Sequence, residues 1–462
     1  MRSTCPVFVT AAIAASGCAR PPAKPAAPPA VAQAAAPEPS GSLADLTTLL
    51  DTLEDKGRWQ GSLALTRDGA PVFTHAVGHR TPGGDAVDAN TRLRIGSISK
   101  VFTSVLIHQL VQEEALSLDD PLATWFPDVP NADRITIEQL LDHHSGIYSI
   151  TSVPDYTDWM EAPATRDDLL KHMAHTPVFE PGSKGAYSNS NYVLLGWIVE
   201  DVTKTSLADA LQQRIAEPVG LTRTMLGDGI DPADNEARSQ RWTGAGWEPD
   251  TETDPSIPGG AGAVVSTPTD LCRFAEALFT GELLDAAGLD HMKTLEDSYG
   301  HGLFTFPYGK RTAYGHTGGI DGYSSMLGWF EDDASCIALV TFGDNFVDRD
   351  TNALAIEALG VLNGQPVRNP EVRDPVAVDL DALKQWEGVY ASDALPLDMT
   401  LELDGAVLTG QGTGQAAFPL TPVDDTTFVF APAGVTIVLG APGQFTLEQG
   451  GGSFPFTRKG AE

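Results

Sequence analysis

The chain has 462 residues, of which 42% are hydrophobic and 20% are charged, and it carries a formal net charge of −33. Its length allows a large core and two domains, and its composition is that of a globular protein. This acidity argues against a nucleic-acid partner, which requires a basic patch, and against electrostatic adhesion to an anionic membrane, so we interpret it as a source of solubility.

The first 18 residues have the features of an export signal. A basic second residue precedes an apolar run at 7–15, which is too short to span a bilayer. The run leads into Ala-Ser-Gly-Cys ending at Cys18, which resembles a bacterial lipoprotein signal and implies cleavage before Cys18 and lipidation of this cysteine. An ordinary secretory signal is the alternative, and both predict export. Ala19 after the cysteine implies an outer-membrane anchor facing the periplasm.

Residues 19–42 are dominated by proline and alanine and are predicted to form an extended tether. Two further cysteines, Cys272 and Cys336, either pair outside the cytoplasm or act as small buried hydrophobes. No cysteine or histidine spacing typical of a metal site occurs, and no cofactor is implied.

Residues 43–365 are predicted to form one α/β domain. Strands at both ends with helices between them favour an α/β sandwich with a largely antiparallel sheet. Residues 235–262 are rich in proline and glycine, which predicts a long surface excursion. Helices are expected at 43–56, 97–111, 166–175, 192–202, 207–215, 268–279 and 352–362, and strands at 62–66, 72–77, 303–306, 324–330 and 337–342.

The composition and the hydrophobic pattern of the chain change after this domain. Residues 366–380 contain prolines and charges and are predicted to be a linker. Residues 381–462 consist of short alternating apolar runs separated by glycine-rich turns, which predicts a small all-β domain, either a barrel or a curled sheet. Residues 381–462 contain no set of residues with a catalytic pattern.

The segment 94–102 is predicted to open a long helix that buries one apolar side. Ser97 and Lys100 are three residues apart, so they lie on one helix face. A serine becomes a nucleophile when a neighbour takes its proton, and a desolvated lysine can do so because burial favours the neutral amine. The alternative is an N-capping serine beside a solvated lysine.

Two later stretches favour the catalytic interpretation: Tyr187-Ser188-Asn189 and His316-Thr317-Gly318-Gly319. Together with Ser97 and Lys100, they follow the order found in class C serine β-lactamases and in the DD-peptidases and esterases related to them. Supporting similarities lie at 140–146, 217–221 and 266–271. Residues 43–362 therefore resemble this family, and residues 381–462, which open with Trp-Glu-Gly-Val-Tyr at 386–390, resemble the lipocalin-like domain attached to many of its members.

The resemblance implies a role for each candidate residue. Ser97 would form an acyl-enzyme, and Lys100 would take or relay its proton. Tyr187 would be the partner base or the acid that protonates the leaving group, with a pKa lowered by the nearby Lys100 so that the two titrate as a coupled pair. Asn189 would bind the substrate amide and hold Lys100. The backbone N–H groups of Ser97 and Gly319 would form an oxyanion hole.

Small residues at 318 and 319 would let the substrate lie along a strand edge. His316 and Thr317 would also contact it, but class C β-lactamases have a lysine where this chain has His316. A histidine is fully charged only below its pKa near 6.5, so the resemblance favours peptidase or esterase action over penicillin hydrolysis.

The predicted function is a serine hydrolase acting on a small peptide or ester, possibly one derived from peptidoglycan. Specificity is expected to lie in the segments 148–158 and 235–258. The alternatives are a β-lactamase and a non-catalytic binding lipoprotein of the same fold. In the second case Tyr187 is an ordinary half-buried tyrosine, Asn189 a helix cap and His316 a surface histidine.

Overall fold

The computed structural model describes residues 43–449 and 452–460. The predicted signal, the Cys18 anchor and the tether at 19–42 lie outside the described residues. Within those two ranges, no helix has the length and apolar character needed to cross a bilayer.

The described chain contains a mixed α/β part followed by an all-β part. The helices are α1 Leu43–Asp55, α2 Ser99–Gln112, α3 Ile137–Leu141, α4 Tyr156–Trp159, α5 Arg166–Met173, α6 Asn189–Thr203, α7 Leu207–Leu211, α8 Glu217–Val219, α9 Gly259–Gly262, α10 Pro268–Phe279, α11 Ala286–Lys293, α12 Thr351–Leu362 and α13 Leu380–Leu383. The strands are β1 Trp59–Arg67, β2 Ala70–Val77, β3 Leu93–Arg94, β4 Met225–Leu226, β5 Gln240–Trp242, β6 Trp247–Pro249, β7 Val264–Ser266, β8 Phe304–Tyr308, β9 Arg311–Ile320, β10 Tyr323–Phe330, β11 Ser335–Asp344, β12 Gly388–Ala391, β13 Asp398–Asp404, β14 Val407–Gly412, β15 Phe418–Pro422, β16 Thr427–Phe430, β17 Val435–Leu439, β18 Gln444–Gln449 and β19 Gly452–Arg458.

A six-stranded sheet of order β2-β1-β11-β10-β9-β8 forms the centre of the α/β part, and its neighbouring strands are antiparallel. Successive residues of a strand point to opposite faces of the sheet, so apolar residues on both faces need cover. Helices provide this cover on each face. Leu63 and Leu65 belong to the core cluster formed with α1 and α12, whereas Ala64 belongs to the larger cluster that contains α2 and α6. The predicted antiparallel α/β sandwich is confirmed.

Helix α2 is buried almost all round, so the predicted single apolar side is wrong. Its polar positions are covered as well as its apolar ones, because they find hydrogen-bond partners in neighbouring segments. The Thr103 hydroxyl donates to the Gly260 carbonyl at 2.7 Å, and the Ser104 hydroxyl donates to the His301 carbonyl at 2.7 Å. Such a fully enclosed helix is a rigid platform for residues at its N-terminus.

The predicted surface excursion at 235–262 is also only partly correct. It begins with the small β5-β6 hairpin, but its last residues form the buried helix α9 against α6. Gly260 permits this contact, because a Cβ there would lie 2.7 Å from the Tyr192 carbonyl oxygen. The glycines that suggested a loop therefore serve close packing.

Strands β12–β19 form a closed eight-stranded barrel in sequence order, which confirms the predicted small all-β domain. Asp374 lies in the segment 366–380 before the barrel. Its carboxylate pairs with Lys56 at 2.9 Å and with Arg58 at 2.8 Å, so it ties this segment to the start of the α/β part. Cys272 and Cys336 are free, buried thiols, in agreement with the second of the two alternatives.

Candidate active site

Ser97 lies in a short 3₁₀ turn, Gly96–Ile98, that leads directly into α2. Gly96 has a φ of 50°, and a Cβ at this position would lie 2.9 Å from the backbone nitrogen of Gly319. Only glycine lets the turn approach β9 so closely. Ser97 and Gly319 consequently line the same cavity, which has a volume of about 420 Å³.

Lys100 is completely buried beneath Ser97. Its Nζ lies 2.9 Å from Ser97 Oγ, 2.8 Å from Asn189 Oδ1 and 2.7 Å from the Ala261 carbonyl oxygen. Burial holds the pKa of Lys100 well below its ordinary value. A neutral amine has two N–H donors and one lone pair, which match the two acceptors and the Ser97 hydroxyl. The arrangement thus suits a lysine that accepts the serine proton.

Tyr187 packs beside this pair. Lys100 Nζ is 4.9 Å from the centre of its ring, and the ring of His143 lies 4.4 Å away on another side. Burial raises the pKa of Tyr187, although the hydrogen bond with the Ser97 side chain opposes the shift. The expected lowering of the Tyr187 pKa is therefore wrong, because burial dominates the shift. Tyr187 retains its proton and can donate it.

Asn189 is the first residue of α6 and also lines the cavity. Its Oδ1 accepts from Lys100, and its Nδ2 donates to Thr151 Oγ1 at 2.9 Å. The N-cap position belongs to Ser188, so the alternative of Asn189 as a helix cap is wrong. The predicted contact between Asn189 and Lys100 is present in the structure.

His316 does not line the cavity in the described chain. It is 2% exposed, its ring lies 6.2 Å from that of Tyr187 and 4.7 Å from that of Phe304, and its Nδ1 hydrogen-bonds the Thr317 carbonyl. Burial, reinforced by Lys100, lowers the pKa of His316 to about 3. This burial shows that the alternative of a surface histidine is wrong, and the contact of His316 with the substrate stays a prediction.

The buried His316 predicts a pH dependence of stability. The pKa of His316 is about 3 in the folded protein against an ordinary value of 6.5, so the unfolded chain binds the proton more readily. Stability should fall as pH drops from about 6.5 toward 3, with a slope of up to about 1.4 kcal/mol per pH unit for one proton. In urea unfolding at several pH values, His316→Gln should reduce this slope. An unchanged slope would show that His316 does not contribute.

The other residues of the stretch His316-Thr317-Gly318-Gly319 also lie on β9. Thr317 is exposed and does not line the cavity in the described structure, whereas a Cβ on Gly319 would have the Tyr323 carbonyl oxygen, at 4.0 Å, as its nearest neighbour. The pairing of β8 with β9 ends at Gly315, so within the described chain no strand pairs with that edge of β9 further on. That an extended substrate lies along this edge at positions 318 and 319 stays a prediction.

Gly318 offers a second test of the close approach between β9 and the Ser97 turn. A Cβ on Gly318 would lie 2.1 Å from the Ile95 carbonyl oxygen and 2.3 Å from Ser325 Oγ. Gly318→Ala should therefore separate the two segments, lower stability by about 1–3 kcal/mol and reduce turnover. Gly246→Ala is the control, because its Cβ meets nothing within 4 Å. Equal unfolding midpoints and rates for both variants would contradict this account.

Sequence reasoning missed two contributions to the site. The Ala261 carbonyl, an acceptor for Lys100, carries no residue-specific signal. Asp321, which lines the cavity, accepts from Thr253 N at 3.0 Å, Thr253 Oγ1 at 2.6 Å and Arg94 Nη1 at 2.9 Å. These partners are far apart in sequence, so spacing could not reveal them. Both predicted specificity segments line the cavity, through Ile150, Thr151, Tyr156, Thr251, Thr253, Ile257 and Pro258.

Several known proteins are similar to this chain. Penicillin-binding protein 4* of Bacillus subtilis is 26% identical over 90% of this chain and 97% of its own length. D-aminopeptidase of Brucella anthropi is 28% identical over 78% of this chain and 68% of its own length. The crystal structure of D-amino acid amidase from Ochrobactrum anthropi SV3 with L-phenylalanine has a TM-score of 0.60 and 30% identity, and covers 70% of this chain and 97% of that protein.

These relatives support a hydrolase of the serine type. The Beta-lactamase family model matches residues 27–360, which include Ser97, Lys100, Tyr187, Asn189 and the β9 motif. With this match over most of the chain, and with the same fold in the amidase structure, the protein belongs to the Beta-lactamase family.

Proposed function

We propose that this chain is a serine hydrolase that forms an acyl-enzyme on Ser97. The observation that carries the proposal is the buried Lys100, whose amine bridges Ser97, Asn189 and the Ala261 carbonyl at 2.7–2.9 Å. Ser97 Oγ attacks the substrate carbonyl carbon while its proton passes to neutral Lys100. The backbone N–H groups of Ser97 and Gly319 stabilise the oxyanion that forms.

The second half of the proposed reaction uses Tyr187. Its protonated hydroxyl donates to the leaving nitrogen or oxygen as the carbonyl–leaving-group bond breaks, and the proton held by Lys100 replaces it. Water then attacks the ester carbonyl carbon and loses a proton to the same pair, and this proton passes to Ser97 Oγ as the ester C–O bond breaks and the acid is released. The nucleophile and bases regain their starting protonation, so the cycle consumes only substrate and water.

The charges of the cavity favour one class of substrate. Among the described residues that line it there is no lysine or arginine, and the carboxylate of Asp321 lies at its wall. His316, which is neutral and buried, supplies no cation either. Asp321 is already paired with Arg94 at 2.9 Å, so it adds no unpaired charge. A substrate carboxylate would lack a cationic partner among these lining residues, whereas an uncharged substrate group needs none.

We therefore propose amides and short peptides of D-amino acids, or small esters, as substrates. The D-configuration is suggested by the names of the D-aminopeptidase and the D-amino acid amidase. A carboxylate-terminated DD-peptide or a β-lactam is the second candidate. It retains support from the similarity to penicillin-binding protein 4*.

Turnover of matched substrates tests the proposal. The purified protein and Ser97→Ala should be compared on D- and L-phenylalanine amide, a D-alanyl-D-alanine peptide, p-nitrophenyl acetate and a chromogenic cephalosporin. We expect Ser97-dependent turnover of the ester and of the D-amide, with the D-amide preferred over the L-amide. Fast cephalosporin hydrolysis would favour a β-lactamase, and no Ser97-dependent turnover at all would favour a binding protein.

We also propose that the protein is exported and anchored in the bacterial outer membrane by lipid on Cys18. The support is the sequence around this cysteine. A single lipid-modified residue with several acyl chains suffices for stable anchoring. Cys18→Ser should move the protein from the membrane fraction to the soluble one, and unchanged partitioning would contradict the anchor.

A further inference from the structure

The C-terminal barrel contains a cavity of its own, with a volume of about 660 Å³. It lies at one end of the barrel. In an up-and-down barrel alternate connections meet at the same end, and the β12–β13, β14–β15 and β16–β17 connections contribute Leu395, Ala416 and Ala433 to its wall. Its described lining lies between residues 395 and 454, so it is separate from the Ser97 cavity.

The barrel has the form of a cup. Its opposite end is filled by aromatic rings, with Tyr390 and Phe445 4.9 Å apart and Phe445 and Phe456 stacked at 5.0 Å. The cavity floor is formed by the buried Met399, Val435 and Leu447. Its rim is apolar too and only half-buried, and consists of Leu395, Leu397, Phe418, Phe430 and Phe454.

The small inward positions of β14 let two side chains that line the cavity lie over this strand. Leu408, Gly410 and Gly412 alternate along β14 and are all buried. The Phe418 ring takes the space at Gly410, where a Cβ would lie 2.9 Å from it, and the Gln415 side chain takes the space at Gly412, where a Cβ would lie 2.7 Å from its Oε1. A folded core normally closes such a cavity, and an apolar rim left partly open to water is typical of a binding site.

The chemistry of the lining indicates what the cavity can hold. None of its described residues is charged, and Gln415 and Gln449 supply neutral polar groups beside the apolar wall. The volume falls within the range of about 300–1,000 Å³ found for small-molecule sites, and eight-stranded barrels are wide enough for one such ligand. Acidic side chains outnumber basic ones across residues 381–460, which disfavours an anion.

We propose that the barrel binds one uncharged molecule with an acyl-chain-like apolar body, whose polar end meets the glutamine amides at the rim. The apolar body would contact Met399 and Leu447 and cover the half-buried rim, which would remove the rim from water. This site is independent of the hydrolase reaction at Ser97.

Fluorescence titration of the full chain with N-phenyl-1-naphthylamine, an uncharged apolar probe, tests the proposal. Wild type should bind one probe saturably, and decan-1-ol should displace it at lower concentration than decanoate does. Leu397→Arg places a charge at the rim, and Ala416→Trp obstructs the mouth from an exposed position. Each should weaken binding at least tenfold.

Val407→Arg on the outer barrel wall is the matched control, because Val407 is 42% exposed and does not line the cavity. It should bind the probe as wild type does, and all three variants should keep the unfolding midpoint of wild type. Absence of saturable binding, equal binding by Leu397→Arg and Val407→Arg, or decanoate displacing the probe as well as decan-1-ol would each overturn the proposal.

Discussion

Lys100→Met should reduce kcat/KM by about 10²- to 10⁴-fold, the usual contribution of a positioned general base. Methionine preserves the apolar length of the side chain but cannot take the Ser97 proton. It also leaves the Ala261 carbonyl and Asn189 Oδ1 without their hydrogen-bond donor, which costs about 1–3 kcal/mol per buried group. Steady-state turnover of a p-nitrophenyl ester, with urea unfolding alongside, separates the two effects.

Lys100→Arg is the control for the protonation state. A guanidinium stays charged in proteins, so it cannot act as the base. We expect no recovery of activity, together with a wild-type kcat/KM that rises with pH as Lys100 loses its proton below its ordinary pKa. An arginine variant with near wild-type turnover would contradict a neutral Lys100.

Tyr187→Phe should have a large effect that depends on the leaving group. The variant keeps the ring against His143 but loses the hydroxyl that we expect to donate a proton. A general acid contributes about 10²- to 10⁴-fold where the leaving group needs protonation, as an amine does. Amide turnover should therefore fall by this amount, while p-nitrophenyl ester turnover should change far less.

The contrast between these substrates is the decisive readout for Tyr187. Equal losses on amide and ester would assign Tyr187 to the activation of Ser97 instead of to leaving-group protonation. Tyr192→Phe is a useful comparison, because the Tyr192 hydroxyl donates to the Leu141 carbonyl at 2.7 Å, away from Ser97. It should lower stability without producing a leaving-group dependence.

The sequence predicts those parts of the molecule that depend on local pattern. Helix α10 has the predicted bounds, because an N-cap threonine and a proline at its first position mark its start, and the apolar stripe marks its length. Ser97 and Lys100 are brought together by one turn of backbone. Their spacing predicts that they share a helix face, whereas the burial of Lys100 depends on the segments packed around α2.

The remaining features depend on distant contacts. The direction of the Tyr187 pKa shift and the burial of His316 follow from packing against His143 and Phe304, which no spacing reveals. Similarly, Gly260 looks like a loop residue until its approach to α6 is known. The expectations for these three residues considered only the neighbouring sequence, and they were wrong because each residue is buried by contacts with distant segments.

Covalent labelling of Ser97 tests the central claim most directly. The full chain and Ser97→Ala should each be treated with a fluorophosphonate and analysed by intact mass and peptide mapping. We predict one adduct per wild-type chain, located on Ser97, and none in the Ser97→Ala variant. No adduct on wild type, or an adduct on another residue that persists in Ser97→Ala, would contradict a nucleophile at Ser97.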